Sequence, residues 1–146
     1  ACFVRPGEVA CIWTDDEDNP FYEAAHAAYE TLSNATDAKG RAVKVHKLTM
    51  PKEPVYMTQE EVDAIDVVEG TIPRTTEDVC IASYMNFLIG NDFVLVPQYD
   101  DEYDEKALQQ VQEMFPEREV VGVPTREVVY GGGNIHCITQ QQPVGV

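Results

Sequence analysis

The sequence predicts an α/β chain of about two strand–strand–helix–strand units followed by one more C-terminal strand. Three observations carry this: hairpin signals at Pro6-Gly7-Glu8 and again at Gly90-Asn91-Asp92, a helical apolar stripe after each, and a β-rich run after each helix. The repetition weighs more than any single element, because recurring supersecondary units mark propellers and arrays. Two units alone leave open sheet edges that need covering.

In the first unit, Cys2 to Arg5 and Val9 to Thr14 are apolar, β-rich runs on either side of the turn residues. The acidic segment Asp15-Asp16-Glu17-Asp18 leads to Asn19-Pro20, where Asn is a good N-cap and Pro suits the first helical position. The carboxylates there favour the positive end of the helix dipole. Phe21, Ala24, Ala25, Ala28, Tyr29 and Leu32 recur at helical spacing and define a buried face; His26 falls off that stripe and reads as a solvated residue. After Asn34 to Gly40, the run Arg41 to Leu48 alternates Val43 and Val45 with Lys44 and His46, as a half-buried strand does, which places His46 on the solvent side.

An irregular stretch from Thr49 to about Val79, broken by Pro51, Pro54 and Pro73, holds one short helix signal, the capping box Thr58-Gln59-Glu60-Glu61. Loops of this length serve as lids, binding loops or oligomer contacts, or are simply irregular packing. The second unit then reads as β-rich runs Ile81 to Ile89 and Phe93 to Pro97, a helix capped by Asp104 with Ala107, Leu108, Val111, Met114 and Phe115 on its apolar face, a stop at Pro116, and a strand from Glu119 to Val123.

The chain closes with Gly131-Gly132-Gly133-Asn134-Ile135-His136-Cys137-Ile138-Thr139, in which Ile135 to Thr139 reads as the further strand. Three consecutive glycines let a ligand approach the main chain closely, or mark a sharp corner between strands. They are not a phosphate cradle, since no Lys or Arg follows them. Cys137 has two readings: a small buried hydrophobe, or a nucleophile whose thiol pKa is brought below about 8.5. Adjacent strand residues point to opposite faces, so a base for Cys137 in a strand is to be sought in a histidine other than His136.

The 146 residues carry 10 Lys and Arg against 26 Asp and Glu, a formal charge of -16. That excess argues against nucleic acid or an anionic membrane as partner. It steers cationic ligands inward, besides conferring solubility. Cys2, Cys11, Cys80 and Cys137 are scattered, without Cys-x-x-Cys pairs or zinc spacing, which fits reduced thiols in a cytoplasmic protein with no metal and no cofactor. No apolar run reaches the roughly 18 residues a spanning helix needs. Ala1-Cys2-Phe3-Val4-Arg5 has neither an initiating Met nor a signal-peptide layout and reads as a strand already under way, as a fragment would.

Gly131 to Pro143 closely resembles the C-terminal signature of the agmatine deiminases. Further segments in family order include Trp13-Thr14-Asp15-Asp16, Leu32 to Arg41, Lys44 to Leu48, Ala82 to Phe87 and Phe115 to Gly122. The resemblance covers essentially the whole chain and implies that residues 1–146 are the C-terminal portion of a single domain whose N-terminal units are missing. It implies a partial pentein β/α propeller: about two ββαβ units plus a C-terminal strand carrying the nucleophile. The implied enzyme is a hydrolase of linear amidines. It converts agmatine to N-carbamoylputrescine and ammonia, towards putrescine, through a covalent amidino intermediate on Cys137. Gly132, Gly133 and Asn134 are expected to shape the substrate site.

The resemblance also implies a cationic small-molecule substrate. The family's Gly-His-x-Asp motif, its second guanidinium-binding acid and its aromatic contacts are expected in the N-terminal remainder of the same enzyme. None of His26, His46 or His136 matches the family's base, so the isolated chain is expected to be inactive. Its open edges leave pairing with that remainder, or a homo-oligomer, as partners. Deimination of free or peptidyl arginine on the same scaffold is the alternative activity. A non-catalytic fragment needing its N-terminal half is the alternative for the isolated chain.

Overall fold

Gly7, at φ 84°, closes the first turn tightly enough for β1 (Cys2–Arg5) to pair antiparallel with β2 (Glu8–Trp13) in the computed structural model, which describes residues 1–144. Helix α1 (Tyr22–Ser33) crosses over to β3 (Lys44–Thr49), which runs parallel to β2 with Val9 opposite Val45 and Cys11 opposite Lys47. Strand β2 is therefore central, and Val9, Ala10 and Cys11 are buried in it.

The 49–79 stretch contains the five-residue helix α2 (Gln59–Asp63), whose capping box between Thr58 and Glu61 forms as the sequence predicts. The second unit repeats the first. Strand β4 (Leu88–Ile89) pairs antiparallel with β5 (Phe93–Gln98), α3 (Asp104–Met114) crosses over, and β6 (Glu119–Pro124) lies parallel to β5. A last short helix, α4 (Arg126–Val129), leads into the glycines. The two sheets have orders β1-β2-β3 and β4-β5-β6, so the twofold ββαβ reading holds.

Core residues alternate as the strand and helix periods require. Val94 and Val96 of β5 are fully buried on one face, and Ala107 and Val111 of α3, at helical spacing, join them in one apolar cluster. Helix α3 touches β3 as well as β6. The Arg5 guanidinium donates to the Met114 carbonyl at its end. One apolar cluster accordingly runs from Val4, Ala10 and Leu48 of the first unit to Val96, Phe115 and Val129 of the second.

Several expectations need correction. Helix α1 begins at Tyr22, because Asn19 closes a turn of its own: its side-chain oxygen accepts from the Phe21 N–H at 2.9 Å and its carbonyl from the Tyr22 N–H at 2.9 Å. Ala24 is exposed and only Ala25 of the expected face is fully buried, since the helix covers a sheet of just three strands. His26 is half-buried, stacked on Trp13 and against Tyr22, with its Nε2 3.0 Å from the Thr14 carbonyl. His46 is also half-buried, held 2.6 Å from the Glu8 carboxylate across the β2–β3 pair.

Of the run from Ile81 to Ile89, only Leu88–Ile89 is strand. The Tyr99 hydroxyl occupies both backbone groups of Ser83, which takes that residue out of any ladder. The expected C-terminal strand that was to carry the nucleophile is a turn. The N–H groups of Cys137 and Ile138 go to the Asn134 carbonyl, and that of His136 goes to Asn86, so no row of donors is left for a neighbouring strand. Among the described residues, no helix is long and apolar enough to cross a membrane.

Candidate active site around Cys137

The end of α4 sets the direction of the glycine run. The N–H of Gly131 bonds to the Val128 carbonyl and that of Gly132 to the Val129 carbonyl, continuing the helical turn for two residues. Gly132 then takes φ 85°, a conformation that strains any side-chain-bearing residue, and reverses the chain. Gly133 is required for a different reason: a Cβ built there lies 2.8 Å from Cys137 Cβ and 2.9 Å from its Sγ. Gly133 thus makes room for the thiol itself.

Two asparagines hold the turn that follows. Asn134 is 1% exposed; its side-chain oxygen accepts from the Ile135 N–H at 2.8 Å, and its amide donates to the Tyr99 hydroxyl at 3.1 Å. That hydroxyl accepts from the Ser83 N–H at 3.0 Å and donates to the Ser83 carbonyl at 3.1 Å. The phenol is thereby saturated, and burial pushes its pKa up to about 12. Through it, the 83–86 loop and the 134–137 turn are tied together.

Asn86 completes the arrangement from that loop. Its side-chain oxygen accepts from the His136 N–H at 2.9 Å and the Cys137 N–H at 3.3 Å, and its amide donates to Cys137 Sγ at 3.0 Å. The two N–H groups fix which way the amide faces: its oxygen must meet them, so its NH₂ must meet the sulfur. Donation to sulfur favours the thiolate. The Cys137 thiol is held below its ordinary range, first by the Asn86 amide and then by backbone hydrogen bonding at Asn134.

Cys137 is exposed, whereas Cys11 and Cys80 are buried and burial pushes their thiols up. Cys2 is half-buried and its thiol is likewise pushed up by burial, so Cys137 alone of the four thiols is both exposed and lowered. Replacing Gly133 by Ala is expected to displace the sulfur from Asn86, with an overpacking cost of about 1–3 kcal/mol. Iodoacetamide labelling of Cys137 at neutral pH should slow accordingly. An unchanged rate would mean that the sulfur does not need that space.

Of the residues expected to shape the site, Gly132, Gly133 and Cys137 share one surface, while the Asn134 side chain faces inward to Tyr99. His136 is exposed and neighbours the thiol only in sequence. His26 and His46 are occupied by Thr14 and Glu8 in the first unit. Asn86 carries no signal in the sequence beyond lying in Ala82 to Phe87, because its role depends on a contact 51 residues away. A cavity of about 520 Å³, lined by residues including Trp13, Lys47, Lys52, Tyr103 and Lys106, lies between the units and does not include Cys137. Among the described residues, no group of three or more His, Cys, Asp or Glu is placed to hold a metal ion.

The family model described as Porphyromonas-type peptidyl-arginine deiminase matches residues 1–143. A Lactococcus lactis protein provisionally named agmatine deiminase is 68% identical over 143 residues, which are 98% of this chain and 38% of that protein. The agmatine deiminase of Pseudomonas aeruginosa is 53% identical over 142 residues, 97% of this chain and 38% of its own length. Among solved structures, the agmatine deiminase of Enterococcus faecalis superposes with a TM-score of 0.92 at 62% identity, over 97% of this chain and 38% of that one. The chain thus spans well under half the length of the relatives it matches.

Proposed function

The chain belongs to the Porphyromonas-type peptidyl-arginine deiminase family, and from that premise we propose that it carries the nucleophile of an agmatine deiminase, Cys137. One observation supports this most directly: the exposed, lowered-pKa thiol of the chain sits on a glycine turn with an amide donor aimed at its sulfur. The agmatine deiminases among the relatives support the substrate.

In this reading Cys137 Sγ attacks the guanidinium carbon of agmatine. The tetrahedral adduct expels ammonia, leaving an amidino group bonded to sulfur. Water then adds to the same carbon, and the thiol leaves to release N-carbamoylputrescine. The guanidinium is a resonance-stabilised cation, so it must be gripped by carboxylates and supplied with protons. Each charge-assisted contact contributes about 1.5–3 kcal/mol and a positioned proton donor about 10²–10⁴-fold in rate. Bound cationic substrate also favours the thiolate through its charge. Asn86 holds the sulfur, Gly133 gives it room, Gly132 turns the chain, and Asn134 anchors the turn.

The base and the gripping carboxylates belong, on this proposal, to the part of the relatives outside the 38% that the chain spans. The two ββαβ units would then be part of a larger propeller, and the isolated 146-residue chain would not turn over agmatine. The description of the matching family keeps arginine substrates as a second reading. Ammonia release by the full-length protein from agmatine, free arginine and an arginyl peptide separates the two. Agmatine is expected to be turned over fastest; preference for either arginine substrate would replace this assignment with the sister activity.

A further inference from the structure

Glu61 has more partners than a helix cap requires. In the capping box of α2 its Oε2 accepts from the Thr58 N–H at 2.7 Å, which alone accounts for the box. The same carboxylate also accepts from the Tyr130 hydroxyl and from Arg126, whose Nε lies 3.3 Å from Oε1 and whose Nη2 lies 3.4 Å from Oε2. Arg126 Nη2 donates in addition to the Tyr56 carbonyl at 2.7 Å. One side chain on a five-residue helix therefore joins the 56–61 segment to α4 and to the residue immediately before the glycine run.

That position matters because three glycines have the greatest backbone freedom of any such run and do not hold a direction unaided. Their first residues continue the hydrogen bonding of α4, so fixing Arg126 and Tyr130 fixes where the run starts. The same loop reaches the glycines a second time, since Arg74 Nη2 lies 3.7 Å from the Cβ position of Gly132. The ends of the loop are themselves joined by the bridge between Tyr56 and Val79 and by the Cys80 N–H on the Val55 carbonyl at 2.8 Å. It is thus a closed strap, bonded to Arg126 and Tyr130 just before the glycines and lying with Arg74 beside Gly132.

We propose that Glu61 is a positioning residue: through Tyr130 and Arg126 it clamps the 56–79 strap to the glycine run and so keeps Cys137 seated on Asn86. This rests on the reading of Cys137 as nucleophile, but the clamp can be tested without turnover. The Tyr130 hydroxyl, with smaller contributions from the Thr58 N–H and Arg126, pulls the Glu61 carboxyl down to about 2. Burial and the neighbouring carboxylate push Tyr130 up to about 12. Between these values the acceptor is ionised and the donor protonated, so the clamp is intact across the neutral range.

The test uses Glu61→Gln, Tyr130→Phe and the double variant of the full-length protein. Iodoacetamide labelling of Cys137 is followed against pH by peptide mass analysis. Buried Cys11 and Cys80 report any general loss of folding in the same samples. Tyr130→Phe leaves the capping box intact, so it isolates the clamp. Each single variant is expected to slow labelling at neutral pH by about three- to tenfold and to move the midpoint of its pH profile upward, with the double variant no worse than the poorer single, as coupled residues behave. An unmoved profile in Tyr130→Phe, or effects that simply add, would overturn the clamp. In the full-length enzyme the same variants should lower kcat with KM little changed. If Cys137→Ser retained turnover, the nucleophile reading would fail while the labelling result still stood or fell by itself.

Discussion

Serine in place of Cys137 is expected to bring agmatine hydrolysis by the full-length enzyme down to background. The loss follows from chemistry rather than folding. The sulfur is ionised before it attacks, whereas a serine hydroxyl stays protonated: among the described residues its neighbour is the Asn86 amide, which stabilises a thiolate but cannot ionise an alcohol. Oxygen is smaller than sulfur, so Gly133 still leaves room for it, and the position is exposed. Stability should change by no more than about 0.5 kcal/mol, as for surface substitutions generally. Ammonia release and a urea unfolding curve measured on the same preparation separate the two effects. Retained hydrolysis with normal stability would remove the covalent mechanism.

Asn86→Ala should have the second largest effect. It deletes three hydrogen bonds at once: the two that the Asn86 oxygen accepts from the His136 and Cys137 N–H groups, and the one its amide donates to sulfur. A hydrogen bond to a charged group is worth about 1.5–3 kcal/mol, so kcat/KM should fall by about ten- to a hundredfold. The thiol pKa should rise towards its ordinary value, since the first cause of its depression is gone. Asn86→Asp divides the contributions. A carboxylate still accepts from both N–H groups but places a negative charge against the sulfur, which disfavours the thiolate further. The labelling profile of Cys137 should therefore lie at higher pH in Asn86→Asp than in Asn86→Ala. The reverse order would mean that Asn86 acts on the turn and not on the sulfur.

What was legible in the sequence follows the range of the forces involved. Pro6-Gly7 and Gly90-Asn91-Asp92 set hairpins locally, and the stripe of Ala107, Val111 and Met114 sets α3 by its period, so both ββαβ units could be read. Ile135-His136-Cys137-Ile138-Thr139 is β-rich and reads as a strand, yet strand formation needs a partner ladder. Here the donors are taken by Asn86 and by the carbonyl of Asn134. His46 looked solvent-facing among lysines, but Glu8, far away in sequence, meets it across the β2–β3 pair. Asn86 itself was invisible for the same reason, and so was the part Tyr99 plays in joining the two loops of the site. Local pattern singles out the segment around Cys137; tertiary hydrogen bonds determine its shape.

The central claim is that Cys137 forms a covalent bond to the substrate's guanidinium carbon. It is tested most directly by acid-quenching the full-length enzyme during agmatine turnover and analysing its peptides by mass. The account predicts that the peptide containing Cys137, and no other, gains the mass of agmatine less ammonia, and that the adduct is absent in Cys137→Ser. Steady turnover with Cys137 unmodified, or with the adduct on a different residue, would contradict it.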